Sequence, residues 1–419
     1  MGLPTAGAQG TLAAPAISVH MASSSPPTRQ LPILGGTETL PTLFQRWVEG
    51  FLPGPIPRET KATCLDCAMC GSNGGATPGY TPFRPDVKCC SYLPALPNFL
   101  IGRVLNDDDP AGAAGRASVE ARVRSRIAVT PLGAGTAPVF ALLYQQGDAS
   151  SSKLFGRSRA LICPHFVDEN GGLCGIWKYR NAVCTTFFCK HERGAVGQQF
   201  WMDLREVLRA AEEELAIWSA MERGLDEATL RRLITMTVSR AATPLSTELI
   251  DGLEEVYAKQ VWGQWLGREE EFYRACATDV EALTWDDVCR IGGSALRARL
   301  AVVQDSYRQL RSAEIPARLS GKRLSQRHID DDRVQVETYS PYDPAILSNR
   351  VVGLLRYFDG GPTADALDRI EQVESVRLTE DLVRMLADHG ILREVGNGND
   401  VGAAGAGDAT RTLPALGAT

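Results

Sequence analysis

Nine of the eleven cysteines fall between Cys64 and Cys189, in spacings that suit thiolate ligation. The first group reads Cys64-Leu-Asp-Cys67-Ala-Met-Cys70, and Cys89-Cys90 follows eighteen residues later. Two-residue gaps let successive thiolates turn back onto one ion, because the intervening backbone forms a tight loop with its amides toward the sulfurs. Three cysteines at C-x2-C-x2-C occur in bacterial-type iron–sulfur ligation, and the same C-x2-C pieces serve tetrahedral zinc. The second group is Cys163-Pro-His165, Cys174-Gly-Ile-Trp177 and Cys184-Thr-Thr-Phe-Phe-Cys189-Lys-His191. Asp168-Glu-Asn-Gly-Gly172 between its first two members is hairpin-turn chemistry, which would set Cys163 and Cys174 on neighbouring strands. Nine sulfurs exceed the four of one tetrahedral site, so two sites, or one cluster and one zinc, are open. Sulfur donors select zinc, Cu(I) or iron–sulfur over harder ions.

Several thiolates on one ion leave negative charge, which nearby cations offset. Arg180, Lys178 and Lys190 are the neighbours in sequence, and both lysines read as surface charges. His165 and His191 are expected to be ordinary or supporting histidines, since sulfur is plentiful. Cys276 and Cys289 stand alone on helical patterns and read as small core residues.

The rest of the chain must position these groups. Its 419 residues, 44% hydrophobic and 22% charged, suit two or three globular domains. The formal net charge of −6 gives no reason to expect nucleic acid or an acidic membrane as the main partner. No run approaches the ~18 apolar residues of a membrane span. The Ala-, Gly-, Ser- and Pro-rich start lacks a secretory pattern, and Met21 is a second candidate start. A cytoplasmic protein is expected, and there clustered cysteines bind metal more often than they pair as disulfides.

The expected class is α+β. An irregular cysteine-rich metal-binding domain with a small β-hairpin precedes an all-α domain and a small C-terminal winged-helix-like module. The divisions fall at 1–38 (disordered, low-complexity), 40–194 (cysteine-rich), 197–315 (helical), 316–332 (a basic, polar linker), 333–396 (winged-helix-like) and 397–419 (disordered). In the cysteine-rich part, Ile127/Val129 and Val139/Ala141/Leu143 alternate as strands around a turn at Gly133 to Pro138, while Asn106 to Gly115 and Asp148 to Lys153 read as mobile loops. With so little periodic structure this part has little apolar face to bury, and a metal is the expected staple.

Trp201, Leu204, Leu208, Ala211, Leu215 and Trp218 trace an amphipathic helix. Further helices are expected over Asp226 to Val238, Thr247 to Trp265 with Thr247 as N-cap, from Thr284 with Asp287 as a capping box, and over Ala295 to Arg311. Trp262, Trp265, Phe272 and Tyr273 at helical spacing read as core. Beyond the linker, Val334, Val336 and Thr338 alternate as a strand. Helices over Ala345 to Phe358 and Ala364 to Val373 come next. A third helix capped by Thr379 ends at Gly390, and Ile391 to Val395 closes the module.

The run from Cys163 to Cys189, Cys-Pro-His-Phe, a Gly-rich turn, Cys174-Gly-Ile-Trp, Lys-Tyr-Arg180-Asn, Ala-Val, Cys184-Thr-Thr-Phe-Phe-Cys189, resembles the YkgJ-type cysteine-cluster family of zinc- or iron-chelating proteins. That family's upstream C-x2-C-x2-C-C element corresponds to Cys64, Cys67 and Cys70, with the double cysteine displaced to Cys89-Cys90. The resemblance implies Cys64, Cys67, Cys70, Cys89, Cys90, Cys163, Cys174 and Cys184 as ligands, with Cys189 as an extra one. Arg180 stands at the family's arginine, beside the cofactor, an iron–sulfur cluster or Zn2+. Trp177, Asn181, Thr185 and Phe188 depart from the family's Tyr, Pro, Arg and Pro.

Tyr342 to Leu392, with Asp359-Gly360 after an apolar helix and a closing Asp-His-Gly390-Ile-Leu, is similar to PqqD-like winged helices that hold leader peptides. The resemblance implies a protein or peptide partner at the C-terminal module. A DNA-reading role competes, but Glu380 to His389 carries three acids against one arginine, a poor surface for phosphate. Three functions follow: redox or modification chemistry on a protein or peptide, a non-catalytic zinc-stapled interaction module, and a metal-responsive regulator. No P-loop, dinucleotide-binding glycine pattern, HExxH or G-x-S-x-G element occurs, and no catalytic residue is assigned.

Overall fold

The computed structural model describes residues 40–62, 64, 67–71, 82–137, 139–140, 143, 154–240, 255–321 and 324–395. It is a mixed α+β protein whose strands lie in small antiparallel sheets. The Met1 to Pro32 segment, Asp148 to Lys153, the Thr247 cap and the C-terminal tail lie outside the described residues.

Helix α1 (Thr42–Glu49) buries Leu43, Phe44, Trp47 and Val48. Strand β1 (Leu96–Pro97) leads into α2 (Asn98–Leu105), where Phe99, Leu100, Ile101 and Leu105 are all buried. Asn106 to Gly115, read from sequence as a loop, instead holds a 3-10 turn (Pro110–Gly112) and the start of α3 (Ala113–Ser125). Asp109 caps that turn by accepting from the Ala111 amide at 3.0 Å. The first hairpin is tighter than expected. Strand β2 (Val129–Thr130) pairs with β3 (Gly133–Ala134), so the expected turn is itself the second strand. Val139 and Leu143 are helical rather than extended, and Ala141 lies outside the described residues.

The hairpin of β4 (Phe166–Val167) and β5 (Leu173–Cys174) forms as its turn residues predict. A short α4 (Ala182–Thr186) is capped by Asn181, whose side-chain oxygen accepts from the Cys184 amide at 3.0 Å. The long α5 (Gly194–Glu222) buries Trp201, Leu204, Leu208, Ala211 and Leu215, the predicted stripe. Then come α6 (Glu227–Arg240), α7 (Glu255–Trp262), α8 (Glu269–Glu281) and α9 (Trp285–Arg311). The Thr284–Asp287 capping box starts α9, and Gly293, at φ 60° and ψ −149°, kinks it where the sequence suggested two helices. Trp262, Phe272 and Tyr273 are core residues, and Cys276 is fully buried among them.

One apolar core runs from Leu40 to Leu310. It joins α1, α2 and α3 of the cysteine-rich part to α5, α8 and α9, so the expected boundary near residue 195 is not a boundary of the core. The expectation that the cysteine-rich part has little apolar face fails for its first helices. Helix α2 is buried on every side and leaves no amphipathic period to read.

The C-terminal part has a separate core. The expected linker 316–332 carries strands β6 (Arg318–Gly321) and β7 (Gln326–His328), with Leu319 buried. Strands β7, β8 (Arg333–Val336) and β9 (Ala345–Ser348) form one sheet. The expected helix Ala345 to Phe358 is β9, then α10 (Asn349–Leu354), then a 3-10 turn. Serine 348 caps α10. Strand β10 (Asp359–Pro362) and, after α11 (Thr363–Glu374) and α12 (Glu380–Asp388), strand β11 (Leu392–Glu394) flank β6 in the second sheet of this part. Thr379 caps α12, and Gly390 follows it at φ +70°.

Candidate metal centre

Two distant stretches meet at the cysteines. The Cys163 amide donates to the Cys90 carbonyl at 2.7 Å, so the upstream and downstream groups share a backbone bond. Six thiols, Cys64, Cys89, Cys90, Cys163, Cys174 and Cys184, line one cavity of about 90 Å³ with Ile176, Trp177, Arg180 and Phe187. That is well beyond the ~10–15 Å³ one water needs. Cys67 and Cys70 lie behind it in an apolar cluster with Phe83, Tyr92 and Phe155, against which Cys89, Cys184 and Cys189 also pack. All nine predicted cysteines therefore belong to one neighbourhood, and all are free thiols. Among the described residues, no three of Cys, His, Asp and Glu approach as ligands of a single ion do. The thiols ring the space instead of meeting at a point.

Short local elements place them. Cys70 turns back by donating its amide to the Cys67 carbonyl at 2.9 Å. Cys174 ends β5 opposite Phe166, while Cys163 precedes β4 and accepts from the Phe166 amide at 3.0 Å. Gly115 of α3 lies directly on this hairpin. A Cβ there would sit 1.9 Å from the Gly175 carbonyl oxygen, so only glycine allows the approach.

Three cations converge on the thiols, and the sequence pointed to one of them. Arg180 is 7% exposed, with its guanidinium 3.4 Å from the Trp177 ring centroid. Its Nε donates to the Trp177 carbonyl at 3.1 Å, and Cys174, Cys64, Cys184 and Cys89 are its charged-state neighbours. Lys88 is equally buried and ties the two stretches together, donating to the Gly172 carbonyl at 2.7 Å and the Cys64 carbonyl at 3.3 Å. Arg122, from α3, donates to the Pro94, Ala134 and Gly135 carbonyls beside Cys163. Lys88 adjoins Cys89-Cys90 in sequence, which was its only available signal. Arg122 lay beyond a segment read as a loop. Lys178 points away, to Asp109 at 2.9 Å, as a surface pair.

Burial governs the protonation of the thiols. It pushes Cys163 and Cys189 up to about 12 and Cys174 to about 11, and neighbouring thiols reinforce the shift for Cys163 and Cys189. Cys70 rises to about 12 through burial and its contact with Cys67. Cys184 is raised well above the ordinary thiol range by burial. Thiolates form here only if a cation compensates them.

His165 is 1% exposed and has both ring nitrogens engaged, Nδ1 with Ser118 Oγ at 2.8 Å and Nε2 with Arg122 at 3.4 Å. Burial lowers its pKa to about 3, with Arg122 adding to the shift. Its two contacts tie it to α3 beside the thiols. His191 packs against Tyr339 of the C-terminal part, whose hydroxyl accepts from the His191 amide at 2.9 Å and donates to Asp343 at 2.8 Å. The same part brings Tyr342 to Phe83 and Phe155, at ring-centroid separations of 5.8 and 6.3 Å. Arg193 forms an ion pair with Asp388 and donates to the Leu310 and Ser312 carbonyls at 2.8 and 2.9 Å.

No family model matches the chain, and neither a curated protein nor a solved structure matches it. Among the described residues, no helix is long and apolar enough to cross a membrane.

Proposed function

We propose that this chain binds metal on its clustered thiolates, as an iron–sulfur cluster or zinc, and uses that centre in redox or modification chemistry on a protein or peptide. The observation that carries the reading is the meeting of nine cysteines from two distant stretches in one neighbourhood, six of them lining a cavity with Arg180, and with Lys88 buried beside them. The donor chemistry fits: all-sulfur sets suit zinc and iron–sulfur clusters. Cys64, Cys67, Cys70, Cys89, Cys90, Cys163, Cys174, Cys184 and Cys189 are the proposed ligands. Arg180 and Lys88 offset their charge and hold the loops that carry them. Bound metal would supply the cation that these buried thiols need to ionise.

The YkgJ-type resemblance points the same way, and the PqqD-like resemblance of the C-terminal module supports a peptide or protein as the partner. A winged helix is the proposed form of that module. Free thiols in such number favour the cytoplasm. A second reading, zinc as a structural staple without catalysis, is favoured by the two-residue strands around the thiols, which bury little by themselves.

Anaerobic purification of the untagged protein, followed by iron, sulfide and zinc analysis, tests both. A brown protein with acid-labile sulfide supports the cluster, and a colourless one with stoichiometric zinc supports the staple. A protein without metal under those conditions sinks the proposal.

A further inference from the structure

We propose that the loop joining β8 to β9 clasps the metal centre, with Tyr342 as a positioning residue. Metal retention and docking of the C-terminal part then reinforce each other. The inference rests on the metal-binding function proposed above and adds a regulating contact from outside the cysteine region.

Tyr342 spans the seam between the two cysteine stretches. On the upstream side its ring lies 5.8 Å from that of Phe83, edge-on at 69°. The Phe83 amide donates to the Met69 carbonyl at 2.8 Å, inside the Cys67–Cys70 turn, so this ring moves with those two cysteines. On the downstream side Tyr342 lies 6.3 Å from Phe155, which meets Phe187 edge-on at 5.7 Å. Phe155 and Phe187 both line the thiol cavity, and Phe187 stands in the chain between Cys184 and Cys189. Phe83 and Phe155 also meet edge-on, at 5.5 Å. Tyr342 therefore packs into the same apolar cluster as Cys67, Cys70, Cys89, Cys184 and Cys189, and it reaches the cavity wall through Phe155.

The loop that carries it, residues 337–344, is braced from within. Thr338 Oγ donates to the Asp343 carbonyl at 2.7 Å, and the Asp343 amide donates to the Ser340 carbonyl at 3.2 Å. Its other tyrosine makes the second contact: the Tyr339 hydroxyl accepts the amide of His191, two residues past Cys189. A third holds the module behind the loop, where Arg193 pairs with Asp388. Gly194 allows that approach, since a Cβ there would lie 2.4 Å from the Asp388 carbonyl oxygen.

A rigid loop resting on both stretches favours the arrangement in which they are together. A metal drawing the thiols together favours the same arrangement, and two events that select one state strengthen each other by the same factor. The C-terminal part has its own core, so it stays folded when the clasp lets go.

The rate at which the full-length protein, as isolated with its metal, yields that metal to an excess of colorimetric chelator reads the coupling. Tyr342→Ala should release metal roughly three- to tenfold faster, the factor that one or two ring pairs supply. Tyr342→Phe, which keeps the ring, should release it at close to the unaltered rate. Ile370→Ala weakens the C-terminal core without touching the loop and should leave the rate unchanged. Release from Tyr342→Ala at the unaltered rate overturns the clasp while metal binding stands, and so does equally fast release from Ile370→Ala. A chain isolated without metal removes the underlying function instead. In the reverse direction, chymotrypsin cleavage after Tyr342 in the unaltered protein should quicken several-fold once metal has been stripped and the chelator removed. Equal cleavage with and without metal overturns the coupling, and this measurement decides if Tyr342→Ala does not fold.

Discussion

Residues 318–395 and the cysteine-bearing segments between 64 and 191 are both built from short elements, yet different forces close them. The C-terminal part buries Leu319, Val334, Ile370, Val383 and Ile391 in a core of its own, between two small sheets and helices α11 and α12. Around the thiols, two-residue strands and single turns are joined by side chains reaching distant carbonyls: Lys88 to Gly172 and Cys64, Arg122 to Pro94, Ala134 and Gly135. Burial of apolar area holds a fold without regard to direction, whereas charge-assisted bonds to backbone require each partner in place. The second kind of region has cations buried beside thiols and gains most from a ligand that draws the sulfurs together.

Removal of the proposed metal should separate the two regions most strongly. Structural thiolate sites contribute on the order of 10 kcal/mol to folding. A strong chelator should therefore abolish amide protection around Cys163 to Cys189 and leave α11 and α12 protected in hydrogen exchange. Equal loss in both would show that the C-terminal core depends on the centre through Tyr342 and Arg193.

Arg180→Ala comes next. It removes a buried cation from among thiols and from the Trp177 ring, at a cost of about 3–5 kcal/mol. Metal content per chain should fall with stability, and Arg180→Lys should restore part of the charge but not the stacking on Trp177. Unchanged metal content in the alanine variant would leave Arg180 a purely structural bond donor.

Ile370→Ala tests the other side of the comparison. Deleting a fully buried side chain in the C-terminal core should cost about 2–4 kcal/mol, seen as a lower denaturation midpoint for that part. Metal per chain should not change.

The smallest effect concerns Glu212, a carboxyl of α5 buried to 5% exposure that accepts the Ala182 amide at 2.7 Å and so holds the start of α4. Burial pushes it up to about 8 from an ordinary 4.5. The folded chain therefore binds a proton that the unfolded chain has released between those values, and stability falls as pH rises through the window. From pH 6.5 to 7.5 the fall is about 1 kcal/mol. Glu212→Gln keeps an acceptor for the Ala182 amide and should flatten that slope in urea titrations at several pH values.

The amino-acid order determined the local chemistry. The Cys67–Cys70 turn, the Asp168 to Gly172 turn, the α5 stripe and the Thr284–Asp287 cap each act within a few residues, and each appears where the sequence places it. Elements with no local period were hidden. Helix α2 is buried at every position but Arg103, β6 buries Leu319 between polar neighbours, and the expected Val139 strand gave way to a two-residue pairing at Gly133–Ala134. Only the tertiary structure decided that Lys88 and Arg122 face the thiols, that Tyr342 reaches their cluster and Tyr339 reaches His191 from the far end of the chain, and that Cys90 lies against Cys163. Those contacts join residues dozens to hundreds of positions apart, and no spacing rule carries across such a gap because the packed core, not the intervening chain, fixes the distance.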